Sequence, residues 1–237
     1  MSRAHEFTLL AKLGFADPDR GNPLHDAACQ YLAQEEKARK ILGMFPHPEI
    51  KARIKEDWAA INPLAPRTIS EEQLISETFV DVSVAAESHI SKGTGQYRTT
   101  IGFSDLLVAA KGFITSSYRK RPPGKDWEEA TERRRNSRLS IVVEVKTHPM
   151  SAGDALRQLS LYREYFTPAF DNSVRSVEFG EWLCDRVGWL LATCYPITRR
   201  DADALKNANI AHIQLDPETV QAWASTVNAA EYVAPTF

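Results

Sequence analysis

A chain of 237 residues holds one substantial domain with an appendage, or two small domains, because a single core serves about 100 to 200 residues. Hydrophobic residues make up 43% and charged residues 25%, which excludes wholesale disorder, and no run nears the ~18 apolar residues of a membrane helix. The net charge of −2 gives no global attraction for a polyanion, so nucleic-acid binding has to rest on a local basic patch.

The opening MSRAHEFTLL lacks the basic-then-apolar order of a secretory signal. Cys29, Cys184 and Cys194 share no zinc-finger or CxxC spacing, which suits buried small hydrophobes in a reducing compartment; a cytoplasmic protein is expected. Residues 6 to 60 read as helices, EFTLLAKLGF, HDAACQYLAQEEKARKILGMF and PEIKARIKEDWAAI, separated by the turn-forming DPDRGNP and PHP. Ala28, Tyr31, Leu32, Ala38, Ile41 and Leu42 make one apolar stripe, the mark of a helix packed on one side. The two prolines of INPLAPR then set a boundary between a helical N-terminal region, 1–66, and a second region, 67–237.

ISEEQLISE, with Ser70 as N-cap and acidic residues after it, predicts a short helix. TFVDVSVAA alternates as a strand, SKGTGQ is a turn, and RTTIGFSDLLVAA is a second strand. A charged insertion at about 112–138 follows, and then LSIVVEVKT, whose four consecutive apolar residues suit a central strand buried on both sides. SAGDALRQLSLYREYF is an amphipathic helix with Ser151 at its cap and Ala155, Leu159, Tyr162 and Phe166 on one face. GWLLATCYPI, DADALKNA, IAHIQLD and PETVQAWASTVNAAEY complete the order as strand, helix, strand and helix. The succession implies an α/β fold, a mixed sheet covered by helices on both faces.

Three features carry chemistry. Glu144 and Lys146 are two apart on a strand and so share a face, with Val145 between them offering its carbonyl oxygen. If the strand bearing Asp105 pairs beside them, two carboxylates and a carbonyl meet as a hard oxygen cluster of the kind magnesium prefers, with Lys146 in reach of a metal-bound water. Phosphodiester hydrolysis builds charge on phosphoryl oxygens and on a leaving alkoxide, which a metal ion and a lysine both stabilise. Gln158 and Tyr162, four apart on the following helix, share a face and can point at the same place. An isolated ExK is more often a solvent-facing salt pair, but Val142 and Val143 directly before it argue against an edge strand.

The GFSD, EVK and QLSLY segments resemble motifs II and III and the QxxxY signature of RecB-like members of the PD-(D/E)XK nuclease superfamily, over roughly Ser70 to Asp216. The resemblance implies a restriction-endonuclease-like sheet with a helical N-terminal extension. It implies Asp105 and Glu144 as ligands of Mg2+, with Mn2+ able to substitute, Lys146 as the catalytic lysine, and Gln158 and Tyr162 in support. The family's helical acidic residue is matched by Glu71, Glu72 or Glu77, of which Glu77 stands closest to the first strand. The chain departs from relatives that hold an iron-sulfur cluster on four cysteines, since three distant cysteines cannot, and SKGTGQ is no phosphate loop, so there is no motor of its own.

From Arg119 to Arg138 the insertion holds eight Lys/Arg against four Asp/Glu. Most such runs are solvated loops, but this one joins the two strands that carry the acidic residues. Arg133, Arg134 and Arg135, with Arg119, Lys120 and Arg121, are therefore candidate phosphate contacts, and Tyr118 or Trp127 candidate stacking residues. His89 and His148 lie near the proposed site in sequence, His148 as a candidate phosphate contact; His5, His25, His47 and His212 show no ligand spacing and receive no role. The leading expectation is an endo- or exodeoxyribonuclease acting on DNA. The alternatives are a nucleic-acid-binding or assembly module of a defence, repair or mobile-element system, whose partner protein or motor supplies activity, and a dimeric junction resolvase.

Overall fold

The computed structural model describes residues 21–48, 70–92, 99–121, 128–149, 152–166 and 184–227, with the backbone alone at 70–74, 116–121, 128–133, 152 and 184–185. Two helices, α1 (Pro23–Ala33) and α2 (Glu35–Gly43), precede the sheet. The sheet contains β1 (Ser70–Lys92), β2 (Thr99–Arg121), β3 (Glu128–Lys146), β4 (Cys184–Thr193) and β5 (Ala211–Gln214). Helix α3 (Ala152–Tyr165) joins β3 to β4, α4 (Arg199–Asn207) joins β4 to β5, and α5 (Pro217–Thr226) follows.

Spatial order equals chain order. β1, β2 and β3 pair antiparallel, and β3, β4 and β5 parallel, so this is a mixed sheet with helices before and between its strands. β3 is central and every residue from Ser137 to Lys146 is buried, as its continuous apolar run requires. Alternation sends Leu139, Ile141, Val143 and Val145 into one core with Ala28, Leu32, Ile41 and Leu42 of α1 and α2. On the other face Val142 packs with Trp189, Leu191 and the α3 residues Ala155, Leu159 and Tyr162. Among the described residues no helix is long and apolar enough to cross a membrane.

Local signals account for most helix ends. Asn22 caps α1 by accepting from the Leu24 amide at 3.0 Å, with Pro23 at the first helical position. Asp216 caps α5 in the same way through the amides of Glu218 and Thr219, with Pro217 behind it. The single helix expected over HDAACQYLAQEEKARKILGMF is divided at Gln34, whose extended backbone ends α1 before α2 begins. The helices expected over 6–15 and 48–61 and the INPLAPR boundary lie almost wholly outside the described residues.

Two expectations are corrected. From Ser70 on, ISEEQLISE is not a helix but the start of β1, paired along Ile114–Arg121 of β2. The charged insertion is not a loop inserted between short strands but the continuation of β2 and β3 themselves, with only 122–127 between them outside the described residues. β3 meets β4 only from Ser137 onward, so 70–79, 112–121 and 128–136 form a three-stranded arm extending about 30 Å beyond the shared sheet. Its register sets Arg119 between Glu72 and Glu129, and Lys120 between Glu71 and Glu128. Opposite charges at facing positions favour strand pairing, which explains why the helix-start pattern at Ser70 loses to the sheet.

Where arm and sheet meet, β1 carries a bulge at Val80, between the pairs Phe79↔Gly112 and Asp81↔Lys111. A Cβ on Gly112 would stand 1.9 Å from the Thr78 carbonyl oxygen and 2.8 Å from Phe79 Cα, both backbone atoms that cannot swing aside. Gly112→Ala is therefore expected to cost about 1 to 3 kcal/mol, the range for overpacking. Urea unfolding followed by tryptophan fluorescence measures this, and a midpoint equal to wild type would refute the close approach.

Candidate active site

β2 and β3 stay paired as far as Leu106↔Val143, and the same register brings Asp105 level with Glu144. There the ladder ends and the Asp105 side chain takes over from the main chain, its Oδ2 accepting the Val145 N–H at 2.7 Å. A backbone donor at the end of a pairing needs an acceptor, and a short carboxylate supplies one in a strand where aspartate is otherwise disfavoured. The other oxygen, Oδ1, lies 3.3 Å from Nε2 of His25 on α1.

Glu144 and Lys146 project together from β3 toward α3, as alternation demands. Their side chains are 1% and 3% exposed, and Lys146 Nζ is 3.7 Å from Glu144 Oε1. From α3, the Gln158 amide donates to Glu144 Oε1 and lies 3.0 Å from the Tyr162 hydroxyl. Tyr162 in turn donates to the Phe103 carbonyl on β2 at 2.8 Å, so α3 is tied to both β2 and β3. One turn of helix separates Gln158 from Tyr162, and the same stripe buries Ala155 and Leu159, so core packing fixes their orientation.

The electrostatics follow from burial and neighbours. Burial opposes ionisation of Asp105, but the His25 hydrogen bond, the Lys146 ammonium and the Val145 amide outweigh it, holding the carboxyl below the usual carboxylate range. Cys29, one turn beyond His25 with its sulfur 3.9 Å from the imidazole, experiences the reverse. Burial first, and then the charges of Asp105 and Glu144, push its thiol well above its ordinary value, so it remains a neutral apolar neighbour. Asn22 closes the same end of the sheet, donating to Thr147 Oγ1 at 2.7 Å while it caps α1.

Five of the residues singled out in the sequence thus come together: Asp105, Glu144, Lys146, Gln158 and Tyr162. Glu77 does not join them. It sits opposite Ile114, nine residues and about 30 Å along β2 from Asp105, and its carboxylate accepts from Ser137 and pairs with Arg186. There it lines a cavity of about 270 Å³ with Arg39, Leu42, Gly43, Pro46 and Phe79. Glu71, Glu72, Arg119, Lys120, Arg121 and Arg133 are placed by register alone, on the arm. Arg134 is exposed there, whereas Arg135, on the opposite face, is half-buried. Trp127 lies outside the described residues. His148 is exposed just past β3, and His89 bonds to Thr100 Oγ1 at 2.7 Å.

His25 is the residue that sequence reasoning passed over. It lies three residues before Ala28 and seven before Leu32, hence on the buried stripe of α1, and a histidine on such a stripe needs a polar partner. Only the tertiary fold names that partner as Asp105. Among the described residues no group of three or more His, Cys, Asp or Glu side chains is arranged to hold a metal ion. Comparison of the chain with protein-family models, with curated proteins and with solved structures finds no match.

Proposed function

We propose that the chain is a divalent-metal-dependent nuclease that hydrolyses DNA phosphodiesters, built on a PD-(D/E)XK core. The observation that carries this reading is the contact among Glu144, Lys146, Gln158 and Tyr162, with Asp105 bonded to the Val145 amide between Glu144 and Lys146. A buried carboxylate–ammonium pair is costly to desolvate and adds little to stability, so a purely structural account of it is weak. The donor set fits Mg2+ or Mn2+, because carboxylate and carbonyl oxygens are hard ligands and magnesium keeps several waters of its own. Asp105, Glu144 and the Val145 carbonyl would hold the ion, which when bound supplies positive charge for the phosphoryl oxygens and acidifies a water.

The chain's own residues divide the remaining work. Lys146 orients the attacking water and offsets charge on the nonbridging oxygens. Gln158 fixes the rotamer of Glu144, and Tyr162 fixes Gln158 while anchoring the helix to β2. His25 keeps Asp105 ionised and aimed. Each carboxylate oxygen has two lone pairs, so the bonds from Val145 and His25 still leave acceptor capacity. A cleavage assay across single-stranded, duplex and branched DNA, with Mg2+, Mn2+ or excess chelator, tests the proposal. Metal-dependent cutting is expected, and cutting in chelator or none in any condition would refute it. A second reading, in which the fold binds nucleic acid without cutting it, draws support from the depth at which Glu144 and Lys146 are buried.

A further inference from the structure

Alternation sorts the arm into two faces. Ile114 and Ser137 belong to the face that meets Glu77 and Arg186. Arg135, directly opposite Ile114, shares it. Lys111, Phe113, Arg134 and Asn136 belong to the other, the face that carries Glu144 and Lys146 ten residues further along β3. The register places Phe113 directly between Thr78 on β1 and Asn136 on β3. The Arg134 guanidinium lies 4.9 Å from the centre of the Phe113 ring. Thr78, Lys111, Arg134 and Asn136 are all exposed. Lys111 stands between Asp81 on β1 and Arg138 on β3.

We propose that this face binds a single strand of nucleic acid, with Arg134 neutralising phosphate and an unpaired base stacking against Phe113 and the guanidinium above it. The proposal rests on the nucleic-acid reading above and narrows its substrate to an unpaired strand. Aromatic and guanidinium planes on a sheet are the platform on which bases stack, and only an unpaired base offers its ring face. The hydroxyl of Thr78 and the amide of Asn136 flank the ring with groups able to bond base edges. A duplex fits poorly, because the major groove admits an α-helix or a two-stranded ribbon and the arm is three strands wide.

The test is binding of the full chain, in chelator so that nothing is cut, to a fluorescent 20-nucleotide oligothymidine, a 20-base-pair duplex and poly-glutamate. The single strand is expected to bind at least about tenfold more tightly than the other two. Arg134→Gln should weaken binding about fivefold or more and flatten the log–log salt slope by about 0.7, the single-strand value for one phosphate contact. Phe113→Leu should weaken it about 5- to 150-fold, the range for losing one stacked base. Arg135→Gln, on the other face, should stay within about twofold of wild type. Equal or tighter binding of duplex or poly-glutamate, no binding at all, or equal losses for Arg134→Gln and Arg135→Gln would overturn the proposal. Face-dependent binding with no cleavage in Mg2+ would sink the nuclease reading and leave this one standing. Cleavage indifferent to Arg134 and Phe113 would do the opposite.

Discussion

Replacing Lys146 by alanine is expected to slow single-turnover DNA cleavage about 100-fold or more while leaving DNA affinity within a few-fold of wild type. A positioned acid–base or charge-stabilising group contributes on that scale. One lysine in a phosphate-binding surface, by contrast, costs a modest, salt-dependent share of affinity and nothing specific in turnover. The side chain is 3% exposed beside a Glu144 that is 1% exposed, so the variant also leaves a buried carboxylate without its ammonium neighbour. Breaking such a pair costs about 3 kcal/mol or more in stability, so the assay belongs well below the variant's melting transition, with circular dichroism confirming the fold. If wild type cuts and the alanine variant cuts equally fast, Lys146 is not the catalytic lysine.

Asp105→Asn is expected to lower Mn2+ affinity and to reduce cleavage at least about 100-fold, because several kcal/mol of charge stabilisation are lost and each 1.36 kcal/mol is a factor of ten. The substitution is chosen for what it retains: the asparagine oxygen still accepts from the Val145 amide, so the end of the β2–β3 pairing is preserved. Titration of Mn2+ by electron paramagnetic resonance reads the metal directly, without reference to turnover. Wild-type metal binding and wild-type cleavage in this variant would remove Asp105 from the site.

What the sequence made legible was what repeats locally. Two-residue alternation put Glu144 and Lys146 on one face, and four-residue spacing put Gln158 with Tyr162; both juxtapositions hold in the fold. The continuous apolar run before Glu144 marked β3 as central, and central it is. The misreadings came where partners far away decide. Ser70 followed by Glu71 and Glu72 has the local chemistry of a helix start, yet those acids face Lys120 and Arg119 across the arm. Those two stretches looked like independent charge runs because nothing local ties residue 71 to residue 120. Glu77 stands near a strand by its local pattern, and in the fold it is within one, turned to Arg186. His25 carried no spacing signal because its partner lies on another element.

The bond from Asn22 to Thr147 closes a loop of 125 residues, and the contact from His25 to Asp105 is likewise long-range. The antiparallel β1–β2–β3 meander connects neighbours in the chain and can form early, but these closures have to overcome a much larger loss of chain entropy. On the ribosome, α1 emerges long before its counterparts on β2 and β3, and α3 follows later still. The cluster is complete only once Tyr162 is available, so a nascent or truncated chain ending before it displays the arm without the hydrogen bond that ties α3 to β2.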